Sequence, residues 1–121
     1  MGERYLVDTN SIVDAQTKKL PPNGLAFVAE VIDEEFTVSF VSYIEFLGYK
    51  DATKAMEEFI SMAAVIEINK EIINATIGIR RSRKIKLPDA IIAATAVVNK
   101  RTLITRNIAD FSNIKGLIQR L

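Results

Sequence analysis

The chain contains no cysteine and no histidine. Without cysteine there are no disulfides, no thiolate zinc sites and no cysteine nucleophile. Without histidine the commonest general base, the Ser-His-Asp arrangement and imidazole metal ligands are excluded as well. Polar chemistry must therefore rest on Asp, Glu, Lys, Arg, Tyr, Ser or Thr. An excess of charge is also missing: the formal net charge is +1, so no global basic field announces nucleic acid. Met1-Gly2-Glu3-Arg4 has no apolar signal region, and Leu6 stands where a myristoylation motif needs Ser or Thr. The longest nearly apolar run, Ala90 to Val98, falls far short of the roughly 20 residues that span a bilayer. A soluble cytoplasmic protein is expected.

What is present suffices for one domain over residues 1–121. Its 121 residues are 49% hydrophobic, and a chain of this size buries roughly two thirds of its unfolded surface. Arg4-Tyr5-Leu6-Val7-Asp8-Thr9-Asn10 is an apolar run that ends abruptly in a carboxylate, a hydroxyl and an amide. Tyr and Val favour a strand, whereas Asp, Thr and Asn favour the turn or cap that follows one. Asp8 is thus expected at the carboxyl end of a first strand, where open α/β sheets place their ligands.

Further along, Asn10 is placed to cap a short helix over Ser11 to Gln16. Lys18-Lys19-Leu20-Pro21-Pro22-Asn23-Gly24 reads as a loop. Leu25, Val28, Ala29 and Ile32 recur at helical spacing, closed by Asp33, Glu34 and Glu35. Thr37 to Val41 is a second strand, after which Ser42 is expected to cap a helix with Glu45 completing a capping box. Beyond Gly48 and Tyr49-Lys50-Asp51, a helix presents Met56, Phe59, Ile60 and Ala63 on one face. Val65 to Ile68 is a third strand. Lys70 to Arg83 is a helix with Ile72, Ala75, Thr76 and Ile79 inward. Leu87-Pro88-Asp89 opens the most apolar helix, Ala90 to Val98, expected to be buried against the sheet or at a subunit interface. Thr102 to Thr105 is a fourth strand, followed by a turn through Arg106-Asn107-Ile108-Ala109-Asp110, and Ile114 to Leu121 holds a last short strand. Strands alternating with helices make an α/β sandwich with a mainly parallel sheet.

The informative acids interrupt apolar surroundings: Asp8, Glu45, Asp89 and Asp110, the last with Asn107 beside it. Each also has a bland reading. Asp8 suits a turn, Glu45 a capping box, Asp89 the helix dipole, Asp110 a turn cap, and Asn107 a left-handed backbone position. Glu30, Asp33, Glu34, Glu35, Glu57 and Glu58 look like solvated faces. Several carboxylates gathered at one sheet edge would repel each other unless a cation sat among them. Oxygen ligands without His or Cys select Mg²⁺ or Mn²⁺, metals that suit phosphodiester hydrolysis by activated water. Arg80, Arg81, Arg83, Lys84 and Lys86, just upstream of Asp89, could hold RNA phosphates or simply favour a helix C-terminus.

Four stretches in this order resemble the PIN-domain family, specifically the small VapC-type toxins of prokaryotic toxin–antitoxin pairs. They are Leu6-Val7-Asp8-Thr9-Asn10, Ser42-Tyr43-Ile44-Glu45-Phe46-Leu47-Gly48, Leu87-Pro88-Asp89-Ala90-Ile91-Ile92-Ala93-Ala94-Thr95-Ala96, and Leu103-Ile104-Thr105-Arg106-Asn107-Ile108-Ala109-Asp110-Phe111. The resemblance implies a three-layer α/β/α domain with a mainly parallel five-stranded sheet. It further implies an endoribonuclease whose acids hold Mg²⁺ or Mn²⁺. Asp8, Glu45 and Asp89 match three family acids; Asp110 is taken as the fourth, with Asn107 as a polar neighbour. Thr9, Asn10 and Thr105 would hold acids or waters in position. A homodimer and a VapB-type antitoxin are the implied partners, the antitoxin seated on apolar residues of the helices around 25–32 and 43–63, such as Phe46 and Phe59. Rival readings are a non-catalytic PIN-like binding module and a housekeeping RNA-processing nuclease. A receiver-type signalling domain is disfavoured, because it needs an Asp after the third strand, where Asn69 stands.

Overall fold

Among the described residues, five short strands, all paired in parallel, carry the fold. The computed structural model describes residues 3–8, 11 and 21–120. The strands are β1 (Tyr5–Val7), β2 (Thr37–Ser39), β3 (Ala64–Ile66), β4 (Thr102–Ile104) and β5 (Gln119–Arg120). Hydrogen-bonded ladders join β1-β4-β5 and, separately, β2-β3. Since β1 also lies beside β2, the spatial order is β3-β2-β1-β4-β5. Leu6 faces Leu103 in register, and Val38 faces Val65. Leu6, Val7, Val38, Leu103 and Ile104 are fully buried, as expected of parallel strands covered on both faces.

The chain builds outward from β1 to β2 and β3, then crosses back to place β4 on the other side of β1. That reversal is the switch point at which open α/β sheets bind ligands, beyond the carboxyl ends of their strands. Five α-helices cover the two faces among the described residues: α1 (Pro22–Glu34), α2 (Phe40–Leu47), α3 (Lys54–Ile60), α4 (Lys70–Ser82) and α5 (Leu87–Val98). Successive strand residues point to opposite faces. Leu6 accordingly joins a core with Val41, Ile92, Ala93, Leu103 and Phe111, whereas Val7 joins one with Val31, Phe36, Val38, Phe46 and Ile60. The α/β/α layering follows from these two cores. Helix α5 is buried along Ala90 and Ile92–Ala96 and packs against α4, whose buried Ile72 and Thr76 are those its periodicity singles out. No helix of the described residues is long and apolar enough to cross a membrane.

Several boundaries differ from expectation. Pro22, Asn23 and Gly24 open α1 instead of lying in a loop, because proline's fixed φ and missing N–H suit the first helical turn. Within α1, Val31 is buried and Ala29 exposed; the bulkier side chain fills the groove. Strand β2 stops at Ser39, and Phe40 and Val41 are helical. Ser39 caps α2, its Oγ accepting from the Ser42 N–H at 3.0 Å. Ser42 is therefore inside the helix, and the capping box expected of Ser42 and Glu45 does not form. Strand β3 starts at Ala64 and ends at Ile66, and the last strand narrows to Gln119–Arg120. Phe46 is fully buried, so it belongs to the core and not to a docking groove. The proposed helix 11–16 and its cap Asn10 lie outside the described residues, apart from buried Ser11.

Glu35 is more than a solvated acid. Its carboxylate pairs with Arg4 at 2.8 Å and with Arg101, whose side chain is only 10% exposed, at 2.7 Å. Arg4, Glu35 and Arg101 stand just before β1, β2 and β4. Their bridges thus tie together the amino ends of three strands, across the gap between the two ladders.

Candidate active site

Asp8 directly follows β1 and is 4% exposed. Its N–H donates to the Ile104 carbonyl at 2.9 Å, extending the parallel ladder by one residue, and its carbonyl accepts from the Ser11 N–H at 3.1 Å. Its side chain turns to the neighbouring strand, where the buried Thr105 hydroxyl donates to Oδ2 at 3.0 Å. Thr105 Oγ1 in turn accepts from the Asn107 N–H at 3.0 Å. A carboxylate held by the adjacent strand is doing more than shaping its own turn. Burying a carboxylate costs free energy unless it is hydrogen-bonded or paired, and the Thr105 hydroxyl meets part of that need. Thr9 and Asn10 lie outside the described residues.

Glu45 is on the second turn of α2 and exposed. With Ser39 as cap, the capping-box partner position falls on Ser42, so Glu45 has lost its bland explanation. Asp89 is the acid in the first turn of α5, beside Pro88, and Lys86 at the cap position contributes no side-chain bond there. It is partly buried. Desolvation raises its pKa above the ordinary value of 3.8, the negative charge of Asp110 adds to the rise, and Lys86 opposes it.

Asp110 lies in the short 3₁₀ turn Ile108–Phe111, with its N–H donating to the Asn107 carbonyl at 3.1 Å. Asp89 and Asp110 line one cleft of about 570 Å³ together with Arg80, Arg83, Lys84 and Lys86. Arg81 is exposed and takes no part in the lining. Of the cations, Arg80 donates to the Ile85 carbonyl at 2.8 Å, and Arg83 donates to the carbonyls of Ser112 and, at 3.2 Å, Asp110. Both arginines thus spend donors on backbone carbonyls that lie outside the last turn of α4. Lys84 and Lys86 are the exposed ammonium groups of the cleft.

The structure therefore gathers Asp8 with Thr105 and the Asn107 turn, and Asp89 with Asp110. All four acids are also rooted in one core: Leu6, Val41, Ile92 and Phe111 pack in a single cluster and stand within four residues of Asp8, Glu45, Asp89 and Asp110. Among the described residues, no three acidic side chains are close enough to hold a metal between them. The donor set nonetheless fits a hard divalent cation. It offers only oxygen, Asp89 and Asp110 repel each other, and Mg²⁺ commonly takes one or two carboxylates with water and substrate phosphate completing its shell.

Two contributors escape a reading of the sequence. Ser11 is buried, and its hydroxyl donates to the Ile104 carbonyl at 3.3 Å; its signal is the Asp-x-x-Ser spacing after a strand. Arg83 reaches the Asp110 turn through carbonyl oxygens, which leave no signature in the sequence.

The family model for the PIN domain matches residues 5–117. Similar solved structures include a toxin–antitoxin complex from Klebsiella pneumoniae, 28% identical over 94% of this chain and 95% of that one, with a TM-score of 0.72. VapBC2 from Rickettsia felis, bound to a DNA fragment from its promoter, is 22% identical over 96% of each chain, with a TM-score of 0.76. FitAcB from Neisseria gonorrhoeae is 19% identical over 97% of this chain and 96% of that one, with a TM-score of 0.73. A search of the curated proteins found no match. With the family's pattern running through nearly its whole length and its fold reproduced from β1 to β5, the chain belongs to the PIN-domain family.

Proposed function

We propose that the protein is the toxin of a VapBC-type toxin–antitoxin pair and acts as a Mg²⁺- or Mn²⁺-dependent endoribonuclease. The observation that carries this reading is the buried Asp8 carboxylate, held by Thr105 at the switch point of the sheet. The Asp89–Asp110 pair, opening onto a cleft with Lys84 and Lys86, supports it. Asp89 and Asp110 are the pair assigned to the cation, whose shell water and substrate phosphate would complete, and Asp8 and Glu45 are proposed as the other two acids of the site. Once bound, it would supply an activated water and offset charge on the phosphate. Thr105 holds Asp8 in one orientation, with Asn107 as its polar neighbour. Lys84 and Lys86 attract RNA phosphates to an edge that its acids would otherwise make repulsive. No side chain of the site is a good general base, since carboxylates committed to a cation are poorly basic.

The partners follow the same reading. Toxin–antitoxin complexes among the structural relatives support an antitoxin for this chain, and the exposed Ile44, Leu47, Tyr49 and Met62 offer it an apolar surface. We assign the chain to a homodimer as well.

The test is RNA cleavage with and without Mg²⁺ or Mn²⁺, comparing the wild type with Asp8→Asn. An asparagine can still accept the Thr105 hydrogen bond, so the variant should keep its fold and lose cleavage by about 10² or more, as loss of a group acting directly on the transition state does. Equal cleavage by both proteins, or none by folded wild type with either metal, would overturn the nuclease reading. A small antitoxin gene beside this one would separate the toxin from a housekeeping nuclease.

A further inference from the structure

We infer that Arg83 is a positioning residue: by bridging the carbonyls of Asp110 and Ser112, it fixes the turn that carries Asp110 relative to the segment that leads into Asp89. This rests on the metal-dependent reading above and adds to it a residue outside the four acids. The 3₁₀ turn Ile108–Phe111 has only four residues, too few to hold itself in place. Three anchors do so. Phe111 is buried in the core, Gln119 Nε2 donates to the Ile108 carbonyl at 3.0 Å, and Arg83 holds the far end through two carbonyls. Without Arg83, that end keeps only local bonds, from the Ser112 N–H and hydroxyl to the Ala109 carbonyl at 3.4 and 2.9 Å, which close the turn on itself but do not tie it to the segment leading into Asp89.

The other side of the bridge is equally defined. Arg83 directly follows α4, and Arg80 pins the connection beyond it by donating to the Ile85 carbonyl. Four residues after Ile85 comes Asp89. The two carboxylates face the same cleft, and like charges would drift apart if their segments were free. Their spacing is set by arginine bonds to backbone. Arginine suits this role because its planar fork can serve two carbonyls at once, which the single ammonium of lysine does less well.

The experiment uses full-length Arg83→Lys and Arg83→Gln, titrated with Mn²⁺ in the absence of RNA by calorimetry or electron paramagnetic resonance. Circular dichroism checks the fold, and cleavage is measured against Mg²⁺ concentration. Mn²⁺ affinity should fall about tenfold or more, as when groups that orient metal ligands are removed. Cleavage should recover toward the wild-type rate at high Mg²⁺. Glu35→Gln, which weakens the opposite edge of the sheet, serves as the stability control and should leave Mn²⁺ affinity unchanged. Wild-type Mn²⁺ affinity in the folded Arg83 variants overturns the positioning role and leaves the nuclease reading standing. A wild type that neither binds Mn²⁺ nor cuts RNA overturns both.

Discussion

Burial and the charge of Asp110 both disfavour ionised Asp89, and Lys86 only partly offsets them. Its pKa in the folded chain thus lies above the ordinary 3.8, so the native state holds this proton more tightly than the unfolded state does. The contribution to stability is present below the unfolded value and is lost as pH rises through the raised one. At neutral pH the charged Asp89 is therefore a cost to the metal-free fold. Asp89→Asn should raise the melting temperature of the chelator-treated protein at pH 7. On the proposed metal-dependent reading, it should also reduce the stabilisation expected of the wild type when Mg²⁺ is added. Thermal denaturation with and without Mg²⁺ measures both, and a lower melting temperature for the variant would contradict the electrostatic reading. Asp8 differs: its carboxylate already accepts the Thr105 hydroxyl, a bond that Asp8→Asn can keep, and no comparable gain is expected there.

Helix α2 shows how an element divides structural from surface roles. Phe46 is fully buried, whereas Ile44, two residues earlier, is 63% exposed. Phe46→Ala should cost about 3–5 kcal/mol through the cavity it leaves, and Ile44→Ala about 0.5 kcal/mol or less, both read from urea denaturation. Only Ile44 and its exposed neighbours can therefore test antitoxin docking without unfolding the protein. The same helix marks the limit of what the sequence reveals. With Tyr43, Ile44, Phe46 and Leu47 all apolar, no polar stripe says which side faces inward. Phe40 and Val41 suit a strand as well as a helix, and the Ser39 cap decides between them. By contrast, α4 and α5 were legible because one has a clean amphipathic period and the other is apolar nearly all round. At the site, the positions of Asp8 and Asp89 at element ends could be read from local chemistry. The bond from Thr105 to Asp8 and the reach of Arg83 to backbone carbonyls could not, since both join segments far apart in the chain.

At the scale of the molecule, the amino and carboxyl edges of the sheet have opposite electrostatic characters. At the carboxyl edge Asp89 and Asp110 lie close enough to repel each other in a cleft shared with Lys84 and Lys86; the amino edge pairs Glu35 directly with Arg4 and Arg101. Glu35, hydrogen-bonded to Arg4 and then Arg101, has its pKa lowered to about 2. A lowered folded pKa contributes stability that is complete above the unfolded value of 4.5 and is lost as pH falls toward 2. Because Glu35 is 45% exposed, solvent screening limits the gain: Glu35→Gln should lose about 1 kcal/mol or less at pH 7. Urea denaturation across the acid range should show the wild type and the variant converging near pH 2, and parallel curves would show that Glu35 does not link the strands. The pairing of Asp8 with Thr105 has a further consequence, one of timing. These residues lie 97 positions apart, the first just past β1 and the second just past β4. A ribosome partway through the message carries a chain that has Asp8 but not the strand that aligns it. The pairing can form only after Thr105 has been made, so the order of the strands itself delays completion of the site during synthesis.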